Sequence, residues 1–157
     1  MSIKARVAFA AGLMAASIVG SAQTIEPWRP VSTTLFVLDA QEKGDIRLGA
    51  NIDSRTNDVA VNLFDFGGKV CHDGEDLPVT DTTPISINGQ LVKFKMACIN
   101  GTRIMQPSSP AGKKFLNAAV ASGRPVTLDD GYGRPLHYPG TTLQVVRAKL
   151  LSARDAM

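Results

Sequence analysis

Two Asn-Gly pairs, twelve residues apart, constrain this chain more than any other feature in it. Asn88-Gly89 separates "ISI" from "QLVKFKMAC", and Asn100-Gly101 separates that run from "TRIMQP". A type I′ turn needs positive φ at both central residues, which Asn and Gly tolerate, so each pair between strand-like runs marks a tight hairpin. Together they predict a three-stranded antiparallel meander. In its middle strand Val92, Phe94, Met96 and Cys98 share one face while Lys93 and Lys95 share the other. Cys98 is therefore expected to point into the core.

Period-two patterning extends well beyond this meander. Residues 33–39 are apolar on both faces, like a central strand. Residues 45–53 alternate, with Ile46, Leu48, Ala50 and Ile52 on one side. Val59, Val61 and Leu63 continue the theme, but Phe64 and Phe66 change parity, which marks either a bulge or a strand covered on both sides. Residues 24–30, with Pro27 and Pro30 around Trp28, read as a loose leading segment.

One helix is expected over about residues 110–122. Ser109 stands at the N-cap, Pro110 at the first helical position, and Gly123 then Pro125 close it. Residues 130–140 form a loop rich in Gly and Pro. For residues 141–153 the Thr and Val content favours a strand, whereas Leu143, Val146 and Leu150 fit a helical face; we read a strand. The fold class is mainly β (α+β): a compact antiparallel β-sandwich or barrel-like sheet with one short packed helix and one disulfide. The order of elements (strand with a cysteine, turn, helix, glycine, strand) is similar to that of small periplasmic proteins of the invasion-associated locus B type. Those carry further cysteines that this chain lacks, so no residue role is carried over from them.

Residues 1–22 have the layout of a secretory signal peptide: Lys4 and Arg6, an uncharged run over 7–19, and small residues Gly20-Ser21-Ala22 before Gln23. The apolar run is shorter than the roughly 20 residues that span a bilayer, which favours removal over anchoring. Residues 23–157 then form one domain, long enough to bury a core of its own. That part carries 15 basic and 14 acidic residues, so net charge gives no support to nucleic-acid or membrane-surface binding. The charge is unevenly spread, with 5 basic and 11 acidic residues over 23–81 against 10 and 3 over 82–157. The two halves are expected to neutralise each other across one domain. The sharper alternative is a dipolar surface whose basic side meets an anionic partner.

Cys71 and Cys98 are the only cysteines, and an even count in an exported chain reads as a disulfide. A catalytic Cys71 assisted by His72 is the competing reading, but adjacent residues of an extended chain point to opposite faces. Asp73, Glu75 and Asp76 supply hard oxygen ligands for a weak Ca²⁺ site, although their spacing does not follow the EF-hand loop. The plainer reading is a solvated acidic loop. Zinc is disfavoured, because the two histidines, His72 and His137, lie far apart in sequence. Ser109, Lys113 and Lys114 at the helix start suggest an anion site, against the plainer reading of solvated lysines beyond a capped helix. Tyr132, Arg134, His137 and Tyr138 make the loop 130–140 the best partner-recognition candidate, since such groups are enriched at interfaces.

The expectation is an exported, periplasmic or secreted, non-catalytic binding or accessory protein acting on another protein, in an inhibitor, immunity or envelope-assembly role. No cofactor, no nucleic acid and no membrane anchor after signal cleavage belong to that reading. The alternatives are a small hydrolase pairing a carboxylate of Asp73, Glu75 or Asp76 with Asp129 or Asp130, or a weakly Ca²⁺-stabilised module.

Overall fold

The computed structural model describes residues 27–72 and 76–156. The expected signal segment 1–22 lies outside them, as do Asp73 and Glu75. The chain is mostly β. A seven-stranded antiparallel sheet is built from β1 (Trp28–Ser32), β2 (Leu35–Leu38), β3 (Ile46–Asp53), β4 (Asp58–Asp65), β5 (Leu77–Asp81), β8 (Phe94–Ile99) and β9 (Thr102–Pro107). Its order is β1-β2-β3-β4-β9-β8-β5. A smaller sheet is built from β6 (Ile85–Ile87), β7 (Gln90–Val92), β10 (Val126–Asp129) and β11 (Leu136–Tyr138), in the order β11-β10-β6-β7. Two helices, α1 (Pro110–Ala121) and α2 (Gln144–Asp155), complete the fold.

Both Asn-Gly hairpins form where expected. Asn88 and Gly89 join β6 to β7 with φ of 51° and 83°, and Asn100 and Gly101 join β8 to β9 with φ of 49° and 76°. The continuous meander does not form. The run "QLVKFKMAC" is cut at Lys93, so β7 belongs to the small sheet and β8 to the large one. The Lys93 carbonyl instead accepts hydrogen bonds from the Ser108 N–H (2.9 Å) and hydroxyl (3.2 Å) at the entry to α1. Val92 and Phe94 flank this bend and both stay buried, so one run of sequence turns the corner between the two sheets.

The core lies between one face of the large sheet and a cover made of the small sheet and both helices. Phe36, Leu48, Val61, Leu63 and Met105 on the large sheet join Ile87, Leu128 and Tyr138 of the small one, with Leu116, Val120, Val146 and Leu150 from the helices. Trp28 pairs with Leu38 across β1–β2 and is buried, so the start of the described chain is a strand and not a loose segment. A large indole beside an apolar strand gains more from burial than from solvent, whatever the prolines around it suggest. The final segment is a helix and not a strand. Val146 and Leu150 sit four residues apart and are its buried residues, so helical periodicity outweighs the β propensity of its Thr and Val residues.

The parity change at Phe64 is not a bulge, because β3 and β4 pair without interruption from Ile46–Asp65 to Asp53–Asp58. Phe64 instead covers the face away from the core. Its ring lies over Gly49, where an added Cβ would come within 2.3 Å of the ring carbons. Only glycine leaves that space.

Helix α1 starts as the sequence implies: the Ser109 hydroxyl accepts the Gly112 N–H at 3.0 Å, and Pro110 opens the first turn. It also completes the large sheet. β9 pairs with only Leu63, Phe64 and Asp65 of β4. Beyond that point the Asn117 side chain substitutes for a strand, accepting the Val61 N–H at 2.8 Å and donating to the Val59 carbonyl at 3.1 Å. Replacing Asn117 by Ala removes both partners, and denaturant unfolding is expected to show a loss of about 1–3 kcal/mol.

Cys71 and Cys98 are bonded, with Cα atoms 5.6 Å apart, and Cys98 faces the core. The bridge ties the segment after β4 to β8 and closes a sequence separation of 27 residues. In the chain-entropy account it contributes about 3–4 kcal/mol, so a Cys71→Ser/Cys98→Ser chain is expected to unfold at correspondingly lower denaturant concentration.

Candidate functional site

The residues singled out from sequence do not gather in one place. In the loop between β10 and β11, Tyr132 is 79% exposed and Arg134 is exposed. Asp129 and Asp130 shape this loop by accepting the N–H groups of Gly131 and Tyr132. Tyr138 does not join them. Its ring is fully buried, its hydroxyl donates to the Ile46 carbonyl at 2.9 Å, and burial pushes the phenol well above its ordinary range. At a strand end beside the core, a tyrosine with a carbonyl in reach folds inward. His137 is clasped by Glu42: its N–H donates to Oε2 at 2.7 Å and its Nδ1 lies 2.6 Å from Oε1.

Of the other described candidates, Ser109, Lys113 and Asp76 are engaged within the fold. Ser109 caps its helix, Lys114 is exposed, and Lys113 pairs with Asp53 at 3.2 Å. Asp76 accepts the Asn100 N–H at 3.0 Å, so it braces the hairpin turn across from it. No group of three or more His, Cys, Asp or Glu placed to hold a metal is found among the described residues. Arg134 lines a cleft of about 290 Å³ with Asp45, Asp65, Lys69, Arg103 and Asp130. Charges there pair with each other, Arg103 with Asp65 at 2.6 Å and Lys69 with Asp45 at 3.5 Å.

A more open feature lies on the face of the large sheet turned away from the core. Alternation along the strands places Leu35 of β2, Asn51 of β3, Asn62 and Phe64 of β4, Ile104 and Gln106 of β9, and Lys95, Ala97 and Ile99 of β8 on this face. With Val79 of β5 they line a trough of about 790 Å³. Its floor is apolar: Phe64 is buried against Gly49, and Leu35, Ala97 and Ile104 are half-buried. Towards one side Val79 and Ile99 are 66% and 49% exposed. Three cationic residues, Arg55, Lys95 and Lys113, line the trough, and among the described residues no carboxylate does. Three amides, Asn51, Asn62 and Gln106, add polarity, the Asn62 Nδ2 donating to Asn51 Oδ1 at 2.8 Å.

The aromatic floor continues past the trough. Phe66 stacks on Phe64 with ring centres 6.2 Å apart, and the Arg47 guanidinium sits 4.8 Å above the Phe66 ring. Arg47 and Arg29 both reach Asp39. Burial works against the Asp39 charge, but these two arginines outweigh it and hold the carboxyl below its usual range. The Arg55 N–H lowers Asp53, against partial burial and with help from Lys113. Hydrogen bonds from the His137 backbone and ring lower Glu42.

Sequence reasoning missed the trough, although Phe64 signalled it. An aromatic on the face opposite the core-facing Val59, Val61 and Leu63 means that face is covered or used, and Ile104 and Ile99 extend the apolar strip.

No family model matches the chain, and no curated protein or solved structure shows significant similarity to it. The disulfide suits an oxidising compartment. No described helix is long and apolar enough to cross a membrane.

Because the Glu42, Asp39 and Asp53 carboxyls are all lowered by folding, their contribution to stability is complete above the ordinary carboxylate range and is lost as pH falls from there through their lowered folded values. Calorimetry is expected to show the melting temperature falling between about pH 5 and pH 3, with a shallower fall in Glu42→Gln.

Proposed function

We propose that the protein is an exported, periplasmic or secreted, binding or accessory protein that acts by protein–protein contact and performs no chemistry of its own. Its docking surface is the trough on the outer face of the large sheet. The observation that carries this reading is that apolar floor, exposed at Val79 and Ile99, on a sheet whose other face is already committed to the core. Contiguous exposed apolar surface with a polar border is the usual mark of an interaction site.

The sheet's construction supports a face-on partner over one that adds a strand. Both outermost strands carry a proline, Pro30 in β1 and Pro78 in β5. Each lacks an N–H, and each edge pairing is also irregular nearby. Such edges resist further strand pairing.

A photo-cross-linker placed at Ile99 in the exported protein is expected to yield a discrete adduct with a partner protein. Val79→Glu should lower its yield about tenfold or more, the scale of a hot-spot loss, with the melting temperature unchanged. An adduct that forms equally well with Val79→Glu, or only from a cross-linker at Tyr132, overturns the trough as the docking face.

A further inference from the structure

We infer that the partner occupies the trough with an extended, acidic segment, its apolar side chains on Leu35, Phe64 and Ile104 and its carboxylates at Arg55 and Lys95. This rests on the trough being the docking face. Three features of the trough argue for that chemistry. Among the described residues its lining contains three cations and no carboxylate. Of those cations Lys113 is already spent on Asp53, whereas Arg55 and Lys95 make no ion pair among the described residues. Elsewhere Arg29, Arg47, Arg103, Arg147 and Arg154 each meet an aspartate of the fold, and among the described residues Arg55 shares its unmatched charge with Arg124 and Arg134 but is the one of the three that lines the trough.

The polar groups argue for an extended chain over a helix or a lipid-like anion. The exposed Gln106 side chain makes no hydrogen bond among the described residues and stands beside the apolar strip. An amide of this kind pairs with backbone N–H and C=O groups, which an extended segment offers and a helix has already satisfied. Alternate side chains of such a segment point the same way, so one set meets the floor while the other meets the rim. Opposite charge at the rim sets partner choice and association rate more than it sets total affinity, and salt screens it.

The test uses the full folded chain and three synthetic peptides of alternating sequence, Glu/Val, Gln/Val and Lys/Val, with laurate as an anionic amphiphile lacking a backbone. Fluorescence titration and amide NMR shifts report binding and its location. The Glu/Val peptide is expected to shift the resonances of Ile99, Ile104 and Gln106 and to bind about tenfold or more tighter than the other two peptides. That preference should collapse in about 0.5 M salt and in the Arg55→Gln/Lys95→Gln chain, both positions being exposed. Equal or tighter binding of the Gln/Val or Lys/Val peptide at the same residues overturns the acidic segment while leaving the docking face in place. Laurate binding there without the Glu/Val peptide overturns the extended segment. If no peptide shifts the trough, the inference falls, and the Ile99 cross-link separately decides whether the docking face falls with it.

Discussion

The large sheet depends on β4 being hydrogen-bonded along both edges. β3 pairs with its whole length on one side, and on the other β9 covers only its last residues. The Asn117 amide takes over at Val59 and Val61. Without it, two backbone groups of a largely buried strand would face the underside of a helix where no further strand can reach, and unpaired buried peptide groups are costly. That one side chain ties the helix to the sheet at a fixed height. It thereby fixes where Leu116 and Val120 enter the core and where Lys113, one helical turn earlier, meets Asp53 at the end of the trough.

A sheet fixed in this way has two faces with different tasks. On the core face, burial of Leu48, Val61, Leu63 and Met105 supplies the main driving force of folding. On the other face the strands bury Phe64 over Gly49 together with Val37 and Asn62, and leave Leu35, Ala97 and Ile104 half covered. Gly49 links the two. Its missing side chain lets the Phe64 ring lie close to the sheet, and that ring forms the floor on which Ile104 and Leu35 border a shallow concavity. The acidic first half and basic second half of the chain meet largely through specific pairs, Asp65 with Arg103, Asp53 with Lys113, Asp58 with Arg147 and Glu42 with His137. These pairs match part of the polarity seen along the sequence across the fold.

The β-rich fold, the disulfide, both hairpin turns and the capped helix α1 were legible because each rests on local chemistry: φ > 0 at Asn-Gly, a hydroxyl before Pro110, two cysteines with one possible pairing. What misled was long-range. Lys93 reads as a mid-strand residue, and only its bonds to Ser108, fifteen positions away, reveal the corner. Tyr138 reads as a surface aromatic until Ile46, 92 positions away, provides a carbonyl for its hydroxyl. The C-terminal helix competes with a strand in propensity and is decided by what Val146 and Leu150 find to pack against. For the site, the sequence drew attention to polar clusters in loops, whereas the trough is assembled from residues spread over six separate strands, none of them conspicuous alone.

The distribution of prolines bears on how such a face can be used. A sheet with an exposed apolar strip and open edges would recruit strands indiscriminately, including those of other copies of itself. Here the edges are blunted at Pro30 and Pro78 while the strip itself is left open. On the docking mode proposed above, contact is made by partners that present side chains to the face rather than backbone to the edge. For such partners the decision falls to the groups on the rim, where Arg55 and Lys95 repel a basic segment and Val79 and Ile99 reward an apolar one. On that proposal, selectivity comes from a handful of side chains around the trough.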